Sequence, residues 1–253
     1  MGHETTTASG AGLPAGVRLA ARAARSLARR RRAPALHPYG VTCDGALAVR
    51  PAGVPWGEPW LDEPGEYRVR LRWSRAVGLP GKAPDALGLA LRVYDAGGPD
   101  RPLELLLTSS GSGRHTRHLP VPRLNALAGP YSTLLSYRVG DREAVLAVRP
   151  AAASPRVPGG VDSLRTVLRT TSLTFHLCAA PQGQAWQPLA TLTTGAVHDV
   201  PPVGTGAYDP YVNRLARLHP TARFGALREA AYAASRRGRH APDPADPADP
   251  ADP

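Results

Sequence analysis

The chain is short of several residue types, and each shortage narrows what it does. Lysine occurs once, at position 82, although lysine and arginine together number 31 against 20 acidic residues. The net charge of +11 would ordinarily raise nucleic acid or an anionic membrane as partners. Every cation but Lys82 is an arginine, however, and Ala, Gly and Pro are abundant, so the charge reads as part of a general composition bias. Nucleic acid is therefore disfavoured as a partner. Cysteine occurs only at 43 and 178. Two thiols far apart suggest no disulfide framework and are too few for a structural zinc site. No apolar run approaches the roughly 20 residues of a membrane span. The start of the chain has no apolar segment behind a basic one, so it does not read as a signal peptide. The expected location is the cytoplasm.

Several motifs are missing as well. There is no G-x-G-x-x-G, no Walker loop and no repeated βα alternation, which argues against a nucleotide-binding α/β fold. There is no G-x-S-x-G elbow and no H-E-x-x-H. His115 and His118 stand three apart in "GRHTRHLP", but no acidic residue lies near them in sequence to complete a metal site.

What is present divides the chain into unlike parts. Residues 1–12 are polar and glycine-rich and are expected to be disordered. Residues 13–32, "LPAGVRLAARAARSLARRRR", read as an Arg-rich leader helix with Pro14 near its start. Those arginines could serve an anionic surface, but a leader that merely shares the composition bias is the favoured reading. From 41 to about 205 the pattern changes to short β-type runs separated by Gly and Pro, as in an antiparallel sheet or barrel. "EYRVRLRWS" alternates cleanly: Arg68, Arg70, Arg72 and Ser74 share one face, and Val69, Leu71 and Trp73 share the other. "LGLALRVYD", "PLELLLTSS", "LLSYRVG", "REAVLAVRP", "SLTFHLCAA" and "PLATLTTGA" continue the series. Residues 207–239 read as helical, with Pro220 as a breaker, and 241–253 form an Asp-Pro-Ala tail expected to be disordered. The class is α+β.

Three stretches carry candidate chemistry. In "ALHPYGVTCDGALAV", His37 is followed by Gly40 and Gly45, and glycine lets a backbone pass close to a flat ligand. The arginine face at 68–74 is ordinary on the solvent side of a sheet, but inside a barrel it would need anions to pair with. In "ALREAAYAASRRGR", a helical period of about 100° per residue brings Arg228, Tyr232 and Arg239 within about 40° of one another. A tyrosine between arginines is either part of a solvated basic face or a phenolate held by cations.

Taken in order, these stretches resemble the catalase superfamily of haem proteins, in a short form spanning about residues 33–239. His37, Gly40 and Gly45 keep the spacing of the family's H-A-K-G…G pattern. "LRWSRAVGLPGKAPDALGLALRVYD" is similar to its V-R-F-S strand, D-x-x-G-x-A segment and K-F-Y-like strand, through Arg72, Trp73, Ser74, Asp85, Gly88, Ala90 and Tyr94. Arg228, Tyr232 and Arg239 fit its R-x-x-x-Y and the arginine seven residues further on. "PYSTLLSYRVGD" is similar to a segment of short catalase-like proteins.

The resemblance implies a catalase-like antiparallel β-barrel over 33–240, with its barrel to about 205 and helices at 207–239, and haem b as cofactor. It implies Tyr232 as proximal ligand of the haem iron, with Arg228 stabilising the phenolate. His37 would be the distal acid–base group, Ser74 would orient it, and Arg72 and Arg239 would pair with propionates. The substrate would be hydrogen peroxide or an organic hydroperoxide. The family's distal asparagine is missing, and Thr108, Ser109 or Ser110 takes its place. Pro34 stands where an arginine is expected, and the phenylalanine-rich distal pocket is missing, since Phe175 and Phe224 are the only phenylalanines in the sequence. Two other readings stay open: a catalase-fold protein without haem catalysis, and a basic adaptor for nucleic acid or acidic lipid acting through 16–32.

Overall fold

The computed structural model describes residues 40–51, 53–75, 84–152, 154–158, 160–199 and 208–221. Its strands are β1 (Gly40–Val49), β2 (Gly65–Arg75), β3 (Leu87–Val93), β4 (Leu103–Ser109), β5 (Tyr131–Ser132), β6 (Tyr137–Val139), β7 (Arg142–Pro150), β8 (Thr174–Pro181), β9 (Gln187–His198) and β10 (Leu218–Pro220). Two helices interrupt them, α1 (Pro59–Asp62) and α2 (Val161–Thr170). The order is β10-β6-β7-β5-β4-β3-β2-β1-β9-β8, and β8 pairs back onto β7. Strands β7, β5, β4, β3, β2, β1, β9 and β8 thus close into an antiparallel barrel, which leaves none of them with an open edge. β6 and β10 extend the sheet beyond β7.

Alternation decides what fills the barrel. Val69, Leu71 and Trp73 of β2 point inward and meet Leu89, Leu91 and Val93 of β3, Leu103 and Leu105 of β4, and Phe175 and Leu177 of β8 in one buried cluster. An eight-stranded barrel is just wide enough for its own side chains, so large aliphatic residues at alternate positions leave a packed core rather than a channel. Gly45 serves this core. A Cβ there would lie 2.5 Å from the Thr193 carbonyl oxygen and 3.1 Å from side-chain carbons of Leu71 and Val69. The register of β1 against β9 shifts at the same point. The glycine therefore allows close packing at a bulge, and its role is not to admit a flat ligand.

Two segments depart from the sequence reading. α2 falls within the stretch read as strands. Leu164 and Leu168 are buried four residues apart and anchor it against β9 and β1. The expected helices at 207–239 do not form over 208–221, where the chain makes turns and the short strand β10. Pro210 and Pro220 lack the N–H a helix needs. The Asp209 carboxylate accepts the Tyr211 N–H at 3.0 Å, and the Asp209 N–H is drawn to Glu104 Oε2 at 2.5 Å, which holds the segment to the barrel wall. The leader helix at 13–32, the remainder of 207–239 and the tail at 241–253 lie outside the described residues.

Candidate functional site on the outer barrel wall

The arginine face of β2 lies on the outside of the barrel. β2 pairs with β1 and β3 without a register shift, so strict alternation puts Arg68, Arg70, Arg72 and Ser74 together there. No buried anion is needed inside the barrel to pair with them. The pairing continues each of these positions as a row across neighbouring strands. Ser74 stands beside Gly40 on β1 and Gly88 on β3, followed by Thr108 on β4 and Ser132 on β5. That row holds only glycines and small hydroxyl residues. Ser74 is 6% exposed, and Ser132 is fully buried.

The next row runs Thr42–Arg72–Ala90–Leu106. A Cβ on Gly40 would lie 3.0 Å from Cζ and Nη2 of Arg72 and 2.5 Å from the Trp73 carbonyl oxygen. Glycine at position 40 therefore leaves the room that the Arg72 guanidinium uses. Burial lowers the Arg72 pKa, and the nearby Tyr208 pulls it back up. Burial pushes the Tyr208 phenol up to about 12, against the pull of Arg92 and Arg72. Sequence reasoning missed Tyr208 and its support. The fully buried Glu104 pairs with Arg92 at 2.5 Å, and Arg92 lies over the Tyr208 ring, 5.3 Å from its centre. Glu104 is the only acid in the apolar strand "LELLLTS", and an acid in that setting is the signal that was available.

The third row, Asp44–Arg70–Arg92–Glu104, sets two neighbouring arginines between two acids. Asp44 accepts from Arg70 Nε at 3.0 Å and lies 2.9 Å from His198 Nε2. Burial raises its carboxyl pKa, but these two partners outweigh burial and hold it below the usual value. Arg68 and Arg70 both lie over the Tyr94 ring, 5.3 and 5.7 Å from its centre. The arginines of β2 thus differ in kind: Arg68 is exposed, Arg70 is committed to Asp44, and Arg72 sits beside the row of small residues.

The three candidates for the missing asparagine also separate. The Ser109 hydroxyl accepts the Leu87 N–H at 2.9 Å and donates to the Val121 carbonyl at 2.7 Å. The Ser110 hydroxyl turns to backbone carbonyls of Gly111 and Pro130. Only Thr108 shares the row of Ser74. Asp85 forms a buried ion pair with Arg75 at 3.5 Å, at the end of β2. His115 and His118 flank a 3-10 turn, Thr116–His118, well away along the chain from Ser74. His37, Arg228, Tyr232 and Arg239 lie outside the described residues. Among the described residues no three His, Cys, Asp or Glu side chains cluster to hold a metal. No described helix is long and apolar enough to cross a membrane.

No protein-family model matches the sequence, and no curated protein does. Solved structures do match. A fungal catalase superposes with a TM-score of 0.63 at 12% identity, over 86% of this chain and 62% of its own. Catalase A from Saccharomyces cerevisiae gives 0.60 at 12%, over 85% and 64%, and a bacterial catalase gives 0.60 at 9%, over 94% and 63%. The fold is catalase-like. At such identities the likeness speaks for the fold alone, and the chain spans less than two thirds of each of these catalases. Within this catalase-like barrel, Arg72 and Ser74 share the outer wall with Gly40, Gly88 and Thr108.

Proposed function

We propose that this chain is a catalase-fold haem protein that acts on hydrogen peroxide or an organic hydroperoxide. The observation that carries the reading is the smooth row Gly40–Ser74–Gly88–Thr108 on the outer wall, with the Arg72 guanidinium seated where a Cβ of residue 40 would intrude. A flat ligand needs small side chains beneath it, and a ligand with carboxylates needs a cation at its edge. The residues present fit haem in both respects, and the iron would supply redox chemistry at the O–O bond.

Each side chain has a task in this reading. Arg72 and Arg239 would bind the two propionates through charge-assisted hydrogen bonds. Tyr232 would hold the iron as a phenolate, and a free tyrosine with a pKa near 10 needs help to ionise. Arg228 would give that help by favouring the charged form. His37 would move a proton between the two oxygens of the peroxide. Ser74 would hydrogen-bond His37 and orient it. Tyr208 holds Arg72 in place.

Thr108 supports a second reading. A threonine hydroxyl is shorter than an asparagine amide and offers one donor where the amide offers two, so the barrel could be kept for a role without haem catalysis. One experiment separates the readings: the absorption spectrum of the purified chain with haem supplied, for wild type and Tyr232→Phe. A high-spin ferric Soret band in the wild type, lost or shifted in the variant, is the expected result. Absence of haem binding in both would leave the catalase likeness as one of fold only.

A further inference from the structure

A second part of the outer wall carries a cleft of about 310 Å³. It lies between the loop around the Thr116–His118 turn, the start of β7 and the end of β8. From Ser74 it is three to four strand spacings around the barrel, roughly 14–19 Å along the sheet at ~4.8 Å each. Part of its lining is basic, with Arg114 and Arg117 beside His115 and His118. The rest is mainly apolar, with Leu134, Leu135, Val145, Ala180 and Pro181.

The basic part of the lining is built rather than loosely arrayed. Arg117 is 5% exposed; its Nη2 donates to the Gln184 carbonyl at 2.8 Å, and its guanidinium lies over the Trp186 ring, 4.9 Å from the centre. Trp186 is tied in turn to the Ser112 carbonyl at 2.9 Å. Burial lowers the Arg117 pKa, and the neighbouring Arg114 lowers it further, so two like charges are held close enough to repel. The His118 Nδ1–H donates to the Leu134 carbonyl at 2.8 Å, which leaves Nε2 available. Leu134 itself has φ of 59°, a left-handed conformation that a leucine rarely adopts. The turn is pinned from below by the Ser132 hydroxyl, which donates to the Arg117 carbonyl at 2.6 Å.

Glu143 is the one acid on the cleft lining. Against Arg114 and Arg117 it leaves one positive charge in excess, which suits a monoanion better than a dianion. The apolar part of the lining suits a hydrocarbon body. The volume is at the small end of the ligand-pocket range, about 300–1,000 Å³. We propose that this cleft binds an organic monocarboxylate with a short hydrocarbon chain, its carboxylate between Arg114 and Arg117 and its chain along Leu134, Val145 and Ala180. This site does not depend on haem.

Octanoate titrated into the full-length, haem-free chain tests it, with Trp186 fluorescence and calorimetry as readouts. Octanol carries the body without the charge, and inorganic phosphate carries charge without the body. Saturable octanoate binding, at least ten-fold tighter than either control, is the expected result. Arg114→Gln should weaken octanoate at least five-fold, and Glu143→Gln should strengthen it. Both residues are exposed, so neither change threatens the fold. Trp186→Phe should remove the fluorescence change and keep the heat. Equal binding of phosphate, equal binding of octanol, or no binding of octanoate would each overturn the proposal.

Discussion

The two faces of β2 are made of alternate residues in one short run, yet they obey different rules. Inward, Val69, Leu71 and Trp73 join a cluster of aliphatic and aromatic side chains. Outward, Arg68, Arg70, Arg72 and Ser74 meet acids, aromatic rings and a row of small residues. The inner face is interchangeable in chemistry and specific in shape. The outer face is specific in chemistry, because each arginine has a different neighbourhood. A barrel wall of this kind separates stability from function: one side holds the fold and the other is free to hold a ligand.

The sharpest way to break that separation is Glu104→Ala. Glu104 belongs to the outer face yet is completely buried, where it holds Arg92 and the Asp209 N–H. Removing it should cost about 3–5 kcal/mol, because Arg92 loses the buried acid it pairs with. Denaturant unfolding measures this, and a loss like that of an exposed outer residue would contradict it. Leu71→Ala probes the inner face. Leu71 is fully buried, so about 2–5 kcal/mol should be lost, whereas Arg68→Ala on the exposed side should stay within about 0.5 kcal/mol.

Gly40→Ala falls between the two faces. The new Cβ would press on the Trp73 carbonyl and displace the Arg72 guanidinium, costing about 1–3 kcal/mol as an overpacked site. Haem affinity should fall with it, as read by titration at the Soret band. A smaller effect concerns pH. The folded Asp44 carboxyl titrates below its unfolded value, near 3.9, so its contribution is present above that pH and is lost as pH falls through the folded pKa. Asp44→Asn should therefore flatten the acid limb of stability below about pH 4. The smallest effect is Arg50→Ala. Its pair with Glu66 is exposed on both sides, so the loss should be under about 1 kcal/mol and should vanish in high salt.

Much of the wall was legible from local pattern. β2 and β7 coincide almost residue for residue with "EYRVRLRWS" and "REAVLAVRP", because period-two alternation and flanking Gly or Pro are local signals. α2 was not legible in a stretch dominated by strands, although Leu164 and Leu168 keep helical spacing. Residues 208–221 were misread because Pro210 and Pro220 disfavour a helix and because the segment is tied at Asp209 to Glu104, more than a hundred positions earlier in the chain. The same holds at the site. Sequence put Arg72 and Ser74 on one face with Arg68 and Arg70. What sets Arg72 apart is Gly40 on another strand and Tyr208 near the far end of the chain, and no local pattern links them.

The most direct test of a cofactor face on the outer wall is a haem titration of the full chain carrying Arg72→Ala, beside one carrying Arg68→Ala. The substitutions are identical in chemistry, four residues apart and on the same face of one strand. The outer-wall account predicts at least a ten-fold loss of haem affinity for Arg72→Ala and none for Arg68→Ala. Equal losses, or a wild-type chain that takes up no haem, would contradict it.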